Sequence, residues 1–292
     1  MARISVVMCC YNSERYIKET IDSVLAQTFS DFEFIIWNDG STDKTEDIVL
    51  SYQDPRIHYF KDKNQGEGKA ANMACAHVRT PYIARIDSDD IWLPSKLEDQ
   101  YNYMESHPNV VLLSCPDIQI DKNSNYLSVA FPITRQSFLK KSLRRENRFA
   151  HSGAMYRTEV YKKTGGYCDL RMFQDFLLFR KMSEYGDVAL MSHVLLKYRI
   201  LPNSVEHRVK NSNYRYVVNE YVKKIISDCG SNPEDLNIFN MIYNQVPRTN
   251  EEQLEYKRDM QNKVYEFIGL FVGKKASYRF MVWMKNLISY LM

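Results

Sequence analysis

The stretch YIARIDSDDIW, residues 82–92, joins a short apolar run to three carboxylates that fall within four positions. The apolar part is typical of a buried β-strand, and Asp87, Asp89 and Asp90 follow where that strand would end. Carboxylates held this close repel one another, so the stretch predicts either a bound cation or a solvated charged turn. The position favours a cation, because ligands of α/β sheets collect at the carboxyl ends of the strands.

Strand-like and helix-like segments alternate on both sides of this stretch, up to residue 115. The strand-like runs are ISVVMCC (4–10), FEFIIWND (32–39), RIHYF (56–60), YIARID (82–87) and NVVLLSC (109–115). Helix-like segments separate successive runs, some with apolar residues at helical spacing. This alternation predicts an α/β domain with a parallel-dominated sheet and helices on both faces.

The pattern changes twice further along the chain. Residues 116–208 are less regular, and residues 209–292 have helical patterns to the end. We therefore expect one α/β domain over residues 1–208, in two halves that meet near residue 115, followed by a helical C-terminal extension.

Composition excludes several classes of protein. Hydrophobic residues make up 45% and charged residues 26% of the 292, as in ordinary globular proteins, and a net charge of +3 does not indicate nucleic-acid binding. The six cysteines lack CxxC pairs, so we expect them to be reduced and the protein to be cytosolic. No stretch resembles a signal peptide or a membrane span, which predicts a soluble or peripheral protein.

The ligand types in the acidic stretch narrow the choice of ion. An EF-hand loop needs glycine where Trp92 lies, and a zinc site needs histidine or cysteine nearby. Carboxylates at a strand end suit Mg²⁺ or Mn²⁺ shared with a substrate diphosphate. GEGKAA, residues 66–71, has the letters of a dinucleotide fingerprint, but KDKNQ precedes it in place of a buried strand. Lys69 remains a candidate contact to a diphosphate.

Three separated segments together resemble family 2 glycosyltransferases of the GT-A (nucleotide-diphospho-sugar transferase) fold. They are SVVMCCYNSERYIKETIDSVLAQTFSDFEFIIWNDGSTD (5–43), YIARIDSDDIWLPSKLEDQ (82–100) and FQDFLLFRKMSEYG (173–186). The resemblance covers about residues 3–205 and implies a mixed sheet flanked by helices. It implies transfer of a sugar from a nucleotide-sugar donor to an acceptor hydroxyl, with inversion at the anomeric carbon. Residues 1–115 would then bind the donor and residues 116–208 the acceptor.

The same resemblance implies roles for residues on the donor side. Tyr11 would stack on the base and Asp39 would hydrogen-bond its edge, uracil being the usual base. Asp87 and Asp89 match the two acids of the family's D-x-D element, and Asp89, with Asp90, would ligate the metal that bridges the phosphates. Further donor contacts are expected from Cys9, Asn12, Glu14, Lys69, Asn72 and Ser88. Arg85 is expected either to contact the donor or to pair with the acidic cluster.

On the acceptor side, Asp175 matches the second acid of the family's E/D-D element. An inverting displacement needs a base for the acceptor proton, and Asp175 would supply it. Gln174 stands where Glu is frequent in that element. In a later segment that resembles the family's Y-R-x-H, Leu201 replaces the histidine, so Arg199 is expected to substitute for it. His151 is expected near the acceptor pocket, although a lone histidine is more often structural.

The last helical segment has a broad apolar face with basic residues beside it. The apolar residues are Phe280, Trp283, Met284, Leu287, Ile288 and Leu291. This pattern predicts packing onto the protein's own domain or onto a second subunit, with peripheral membrane contact as the rival interpretation.

Taken with the resemblance, the sequence predicts a metal-dependent inverting glycosyltransferase that uses a UDP-sugar. The expected acceptor is a carbohydrate or lipid-linked saccharide in surface polysaccharide (capsule or O-antigen) biosynthesis, at the inner face of the cell membrane. A nucleotidyltransferase that makes nucleotide sugars would share the sheet and the acidic metal site, but the NDGSTD element and the context of Asp175 argue against it. A non-catalytic sugar-nucleotide-binding module is the non-enzyme alternative.

Overall fold

The strands follow the predicted alternation up to residue 115 and continue beyond it. The structure is a computed structural model that describes residues 2–130, 136–144, 146–170, 172–201 and 236. The strands in this part are, in chain order, β1 (Ile4–Cys10), β2 (Phe32–Asp39), β3 (Ile57–Asp62), β4 (Tyr82–Asp87), β5 (Ile91–Trp92), β6 (Val110–Ser114), β7 (Asp117–Ile120), β8 (Tyr126–Val129), β9 (Met155–Arg157), β10 (Asp187–Leu190) and β11 (Leu196–Arg199).

Helices connect most of these strands. They are α1 (Ile17–Leu25), α2 (Thr45–Leu50), α3 (Glu67–Cys75), α4 (Lys96–Ser106), α5 (Gln136–Ser142), α6 (Thr158–Thr164) and α7 (Gln174–Met182), together with a 3₁₀ turn at His151–Gly153. No helix among the described residues is both long and apolar enough to cross a membrane. The predicted helical extension, residues 209–292, lies outside the described residues except for Leu236.

The main sheet confirms the predicted parallel-dominated architecture. Its seven strands have the order β10-β6-β9-β4-β1-β2-β3. All neighbours in it are parallel except β9, which runs antiparallel to both β4 and β6. Consecutive residues of β1 are buried, and since successive side chains of a strand point to opposite faces, both faces of the sheet are covered. This explains why β1 appears in the sequence as an unbroken apolar run.

A second, smaller sheet was not predicted from the sequence. Its strands have the order β5-β11-β7-β8, and β11 runs parallel to β7. None of the four is longer than four residues, and β7 and β8 lie in the polar region after residue 115. Strands this short show no clear alternation of polar and apolar residues, so only their pairing partners reveal them.

Helix α3 makes an unusually close approach to the segment before α7. A Cβ atom added to Gly68 would lie 2.6 Å from the carbonyl oxygen of Cys168, a distance that Cβ atoms do not tolerate. Glycine at this position therefore allows the start of α3 to pack directly against the second half of the domain.

Gly68→Ala is expected to lower the free energy of unfolding by about 1–3 kcal/mol, the usual cost of forcing atoms into a packed site. Alanine would otherwise stabilise a helix by about 1 kcal/mol relative to glycine, so the steric term must outweigh the propensity term. Urea unfolding measures the difference. Met73→Ala, an exposed change on the same helix, is the control and is expected within about 0.5 kcal/mol of wild type. A more stable Gly68→Ala protein would contradict the close approach.

Candidate active site

The predicted donor residues lie at one edge of the main sheet, where three parallel strands end. β1 lies between β2 and β4, and in register Cys9 is opposite both Trp37 and Asp87. Strands β2 and β3 lie on one side of β1, and β4 lies on the other side. A reversal of strand order of this kind opens a crevice at the carboxyl ends of the strands, where α/β proteins bind ligands.

The loops after β1 and β2 are fastened to each other. The backbone N–H of Thr42 donates to Asn12 Oδ1 at 2.9 Å, and that of Lys44 donates to Glu14 Oε2 at 2.9 Å. Asn12 itself has a φ of 50°, a left-handed conformation that asparagine tolerates better than most residues. Asn12 and Glu14, predicted to contact the donor, thus brace the two loops. The ring of Tyr11 remains exposed beside them.

Asp39 connects the end of β2 to the start of α3. Its buried carboxylate accepts hydrogen bonds from the backbone N–H groups of Gln65 and Gly66, both at 2.9 Å. Each carboxylate oxygen can accept more than one hydrogen bond, so a contact to a nucleotide base stays compatible with this arrangement. Because Gly66 directly precedes α3, Asp39 also fixes where Glu67 enters the crevice.

A buried arginine lies beneath the acids at the end of β4. Arg85 Nη2 is 3.2 Å from Asp87 Oδ1 and 3.6 Å from Glu67 Oε1, while Nη1 donates to the carbonyl oxygens of Val7 and Ile86. The guanidinium is fully buried, so its charge is compensated mainly by these two carboxylates. Arg85 thus supports the acids from inside the protein.

His151, expected near the acceptor pocket, lies against the same two carboxylates, Asp87 and Glu67. Its Nδ1 is 3.6 Å from Asp87 Oδ1 and 3.7 Å from Glu67 Oε1, and Nε2 is 2.9 Å from the Tyr167 hydroxyl. Burial lowers the pKa of His151 to about 4, although Asp87 favours the charged form. His151 is therefore neutral at physiological pH.

Glu67 is the residue of this site that the sequence did not predict. Desolvation by the surrounding protein and repulsion from Asp87 and Asp175 raise its pKa, while Arg85 and a hydrogen bond from Gln174 act in the opposite direction. Glu67 lies inside the GEGKAA stretch, but only Lys69 was singled out there. Its contacts come from β4 and α7, far away in sequence, so no local signal identified it.

Asp89 and Asp90 have different surroundings although they are adjacent. Burial and repulsion from Asp87 raise the pKa of the half-buried Asp89 carboxylate, while the nearby positive charge of Arg199 acts in the opposite direction. Asp90 is completely buried, and its Oδ1 accepts the backbone N–H of Arg199 at 2.8 Å. This inward placement argues against the predicted role of Asp90 as a second metal ligand, because its carboxylate is used to hold β11 against the acidic turn.

Arg199 is a structural clamp, which corrects its predicted role on the acceptor side. Its Nε donates to the carbonyl oxygen of Asp89 at 2.7 Å, and its Nη2 donates to Glu19 at 2.7 Å. Its Nη1 donates to the carbonyl oxygen of Asp121 and to the Ser124 hydroxyl. The side chain is buried and each of its three nitrogens already has a partner. Arg199 therefore fixes the Asp89 turn, and this use of its nitrogens argues against a contact with the acceptor.

Asp175 lies at the start of α7, as predicted, and is half-buried. The Nδ2 group of Asn147 donates to its Oδ2 at 2.9 Å. Neighbouring Gln174 is buried, and its Oε1 has no hydrogen-bond partner among the described residues. The charges of both Asp87 and Asp175 contribute to raising the pKa of Glu67, so the start of α7 lies on the same side of the site as the end of β4.

Two other predicted donor residues brace the surrounding structure. Asn72 Oδ1 accepts from the Tyr161 hydroxyl at 2.7 Å and from the Tyr167 N–H at 2.9 Å, while Nδ2 donates to the Tyr167 carbonyl oxygen. The Ser88 hydroxyl is 2.7 Å from that of Ser13, which joins the acidic turn to the loop after β1. These contacts position the edges of the crevice.

Lys69 and Cys9 have weaker connections to the crevice. Lys69 Nζ lies 3.0 Å from Asp169 in an exposed ion pair. Burial raises the pKa of the Cys9 thiol far above its ordinary value, so Cys9 is a neutral thiol at the end of β1. Neither position excludes the predicted contact with a donor.

The oxygen donors at the end of β4 fit Mg²⁺ or Mn²⁺. Asp89 offers a hard carboxylate ligand at the crevice. Burial raises its pKa, and so does the negative charge of Asp87, which a divalent cation would offset. Glu67, Asp87 and His151 form a second candidate group, with ligand atoms within 4.8 Å of one another. That group already contacts Arg85, so Asp89 is the better metal ligand.

Comparison with known proteins agrees with this fold. A family model described as glycosyl transferase family 2 matches residues 5–165. A glycosyltransferase of Methanocaldococcus jannaschii is 38% identical over 208 residues, which cover 68% of this chain and 71% of the relative. The amylovoran biosynthesis glycosyltransferase AmsE of Erwinia amylovora is 28% identical over 222 residues, covering 74% of this chain and 82% of the relative.

Two solved structures share the fold. S. aureus TarS in complex with UDP-GlcNAc has a TM-score of 0.62 at 21% identity, over 89% of this chain and 78% of TarS. The mannosyltransferase PcManGT of Pyrobaculum calidifontis, in complex with GDP-Man and Mn²⁺, has a TM-score of 0.62 at 16% identity, over 99% of this chain and 80% of that protein. The fold is that of GT-A glycosyltransferases. The chain belongs to glycosyl transferase family 2.

Proposed function

We propose that this glycosyltransferase moves a sugar from a UDP-sugar to a hydroxyl group of a saccharide acceptor, with inversion at the anomeric carbon. The observation that carries the proposal is the convergence of donor-side and acceptor-side acids on one cleft. The Glu67 carboxylate lies close enough to Asp87 and to Asp175 for both charges to raise its pKa. This shared influence on Glu67 supports placing the candidate base, Asp175, near the acids that would hold the donor diphosphate.

The chemistry is a single displacement. The acceptor oxygen forms a bond to the anomeric carbon while the bond from that carbon to the diphosphate oxygen breaks. Asp175 takes the hydroxyl proton as the new bond forms, and Asn147 holds its carboxylate in place. Mn²⁺ or Mg²⁺ held by Asp89 would offset the charge that builds on the leaving diphosphate. Attack from the face opposite the leaving group inverts the configuration.

The nucleotide is proposed to be uridine-based. The exposed ring of Tyr11 offers a stacking surface for a base, and Asp39 can accept a further hydrogen bond from an N–H donor on it. TarS, which shares the fold, binds UDP-GlcNAc, whereas PcManGT binds GDP-Man. Both nucleotides therefore belong in the test.

The proposed acceptor is a carbohydrate or a lipid-linked saccharide, in the assembly of a surface polysaccharide. The name of AmsE, a relative in amylovoran biosynthesis, supports this. We also propose a cytoplasmic location at the inner face of the membrane, where lipid-linked acceptors would be available. The C-terminal segment that would contact the membrane or a second subunit lies outside the described residues.

A mass-spectrometric screen of nucleotide sugars tests the proposal. The protein is incubated with Mn²⁺ and a panel of UDP- and GDP-sugars, first alone and then with lipid-linked saccharides. We expect release of UDP from one UDP-sugar, and a product heavier by one sugar once an acceptor is present. Formation of a nucleotide sugar from a nucleoside triphosphate and a sugar phosphate would support the nucleotidyltransferase alternative. Binding without turnover would support a non-catalytic module.

A further inference from the structure

Glu67 lies at a fixed position in the cleft, but the proposed displacement gives this residue no role. Helix α3 begins at this residue, and the two preceding backbone N–H groups are bound by Asp39. One residue later, Gly68 packs against the carbonyl oxygen of Cys168. The start of α3 is thus held from both halves of the domain. The side chain of Glu67 is nevertheless 43% exposed, so its carboxylate can meet a bound molecule.

Two buried side chains hold the Glu67 carboxylate, and each also has one polar atom without a hydrogen-bond partner among the described residues. Arg85 Nη2 lies 3.6 Å from Glu67 Oε1, and Gln174 donates a hydrogen bond to the same carboxylate. Both partners are almost fully buried. The Nε atom of Arg85 and the Oε1 atom of Gln174 have no hydrogen-bond partner among the described residues. Buried polar atoms are almost always paired in folded proteins, so these two side chains, which contact Glu67 through other atoms, keep hydrogen-bonding capacity that a water or a bound molecule would use.

A neutral ligand suits this place better than a metal ion. Glu67, Asp87 and His151 could together hold a cation, but Arg85 Nη2 already approaches the carboxylate oxygens of Glu67 and Asp87 that face His151. A divalent ion would meet the positive charge of that buried guanidinium at close range. Hydroxyl groups carry no charge and can donate hydrogen bonds to the exposed side of the Glu67 carboxylate.

We propose that Glu67 binds hydroxyl groups of the transferred sugar and thereby selects neutral sugars over uronic acids. The inference rests on the proposed function, because the cleft between the donor acids and Asp175 is where the transferred sugar would lie. A carboxylate on the sugar would face the negative charges of Glu67, Asp87 and Asp175, and like charges at short range disfavour binding. A hydroxyl at the same position gains a charge-assisted hydrogen bond.

Glu67→Gln tests the proposal, with Glu159→Gln as the matched control, since Glu159 is an exposed residue in the first turn of another helix. Calorimetry in the presence of Mn²⁺ measures binding of UDP, UDP-glucose, UDP-galactose and UDP-N-acetylglucosamine. For the UDP-sugar that wild type binds most tightly, we expect Glu67→Gln to weaken affinity about tenfold or more, the usual effect of losing a hydrogen bond to a charged group. Affinity for UDP should change less than twofold, and the control should match wild type.

The outcomes separate this inference from the proposed function. If Glu67→Gln weakens UDP and UDP-sugar equally, or weakens neither, Glu67 does not bind the sugar. A rise of tenfold in the half-saturating Mn²⁺ concentration would assign Glu67 to a metal site and overturn the proposal. A wild-type protein that binds none of the nucleotides overturns the proposed function, and this inference with it.

A competition experiment tests the class of sugar. UDP-glucuronate is expected to compete with UDP-glucose at least tenfold less well than unlabelled UDP-glucose does in wild type. The ratio of the inhibition constant of UDP-glucuronate to that of UDP-glucose should fall several-fold in Glu67→Gln, because one of the repelling charges is removed. A ratio that is the same in both proteins would show that Glu67 does not discriminate against uronic acids.

Discussion

Asp89→Asn is expected to lower turnover by about a hundredfold or more, because it weakens the hold on the cation that stabilises the leaving diphosphate. Asp89 is the half-buried carboxylate at the end of β4 whose pKa is raised by burial and by Asp87. An amide has one carbonyl oxygen and no charge, so it is a much poorer ligand for Mg²⁺ or Mn²⁺. Transfer rates measured over a range of Mn²⁺ concentrations give both turnover and apparent metal affinity.

Asp90→Asn is the matched control for this change. The Asp90 carboxyl is completely buried, its pKa is raised well above its ordinary value, and its Oδ1 accepts the Arg199 N–H. An amide of the same shape keeps that acceptor, so the half-saturating Mn²⁺ concentration should stay as in wild type. EDTA should stop the wild-type reaction and added Mn²⁺ or Mg²⁺ should restore it. Full activity in EDTA would falsify the metal role.

The main sheet and its binding edge were predictable because their signals are local. The central strands β1, β2 and β4 are short, largely apolar runs, and consecutive buried residues such as those of β1 show in the sequence as unbroken hydrophobicity. The rule that ligands collect at the carboxyl ends of parallel strands then places Asp39 and Asp87 on the same edge, and the structure has them there.

The contacts within the site were not predictable in the same way, because they join residues far apart in sequence. Arg85 could be named from its place beside the acids, but its pairing with Glu67 depends on how α3 packs over the neighbouring strands β1 and β2. Arg199 matched a family segment that suggested substrate contact. Its hydrogen bonds to Asp89 and Glu19, which are 110 and 180 residues away, show that it supports the fold instead.

Burial separates residues that look equivalent in the sequence. Asp89 and Asp90 are adjacent acids after the same strand, and nothing local distinguishes a metal ligand from a structural acid. In the folded chain the turn directs Asp90 inward to β11 and leaves Asp89 half-buried at the crevice. The pairing of β11 with β5 and β7 in the second sheet, which was not predicted, places the Arg199 N–H that Asp90 accepts.

Asp175→Asn is expected to leave donor affinity nearly intact while turnover falls roughly a hundredfold to ten-thousandfold, the range that removal of a general base produces. Asp175 would meet the acceptor proton, whereas the residues at the ends of β1, β2 and β4 would hold the donor. Calorimetry with UDP and Mn²⁺, together with a transfer assay, measures the two effects separately. The Asn147 side chain can still pair with the substituted amide, so the start of α7 should keep its structure.

Glu159→Gln is the control, since this exposed acid lies in the first turn of a different helix. It should transfer sugar at the wild-type rate. If Asp175→Asn does so as well, Asp175 only stabilises the first turn of its helix, where a negative charge is favourable. Loss of UDP binding in Asp175→Asn would instead place this residue on the donor side. If Asp175 is the base for the acceptor proton, Asp175→Asn should bind UDP normally but transfer sugar slowly.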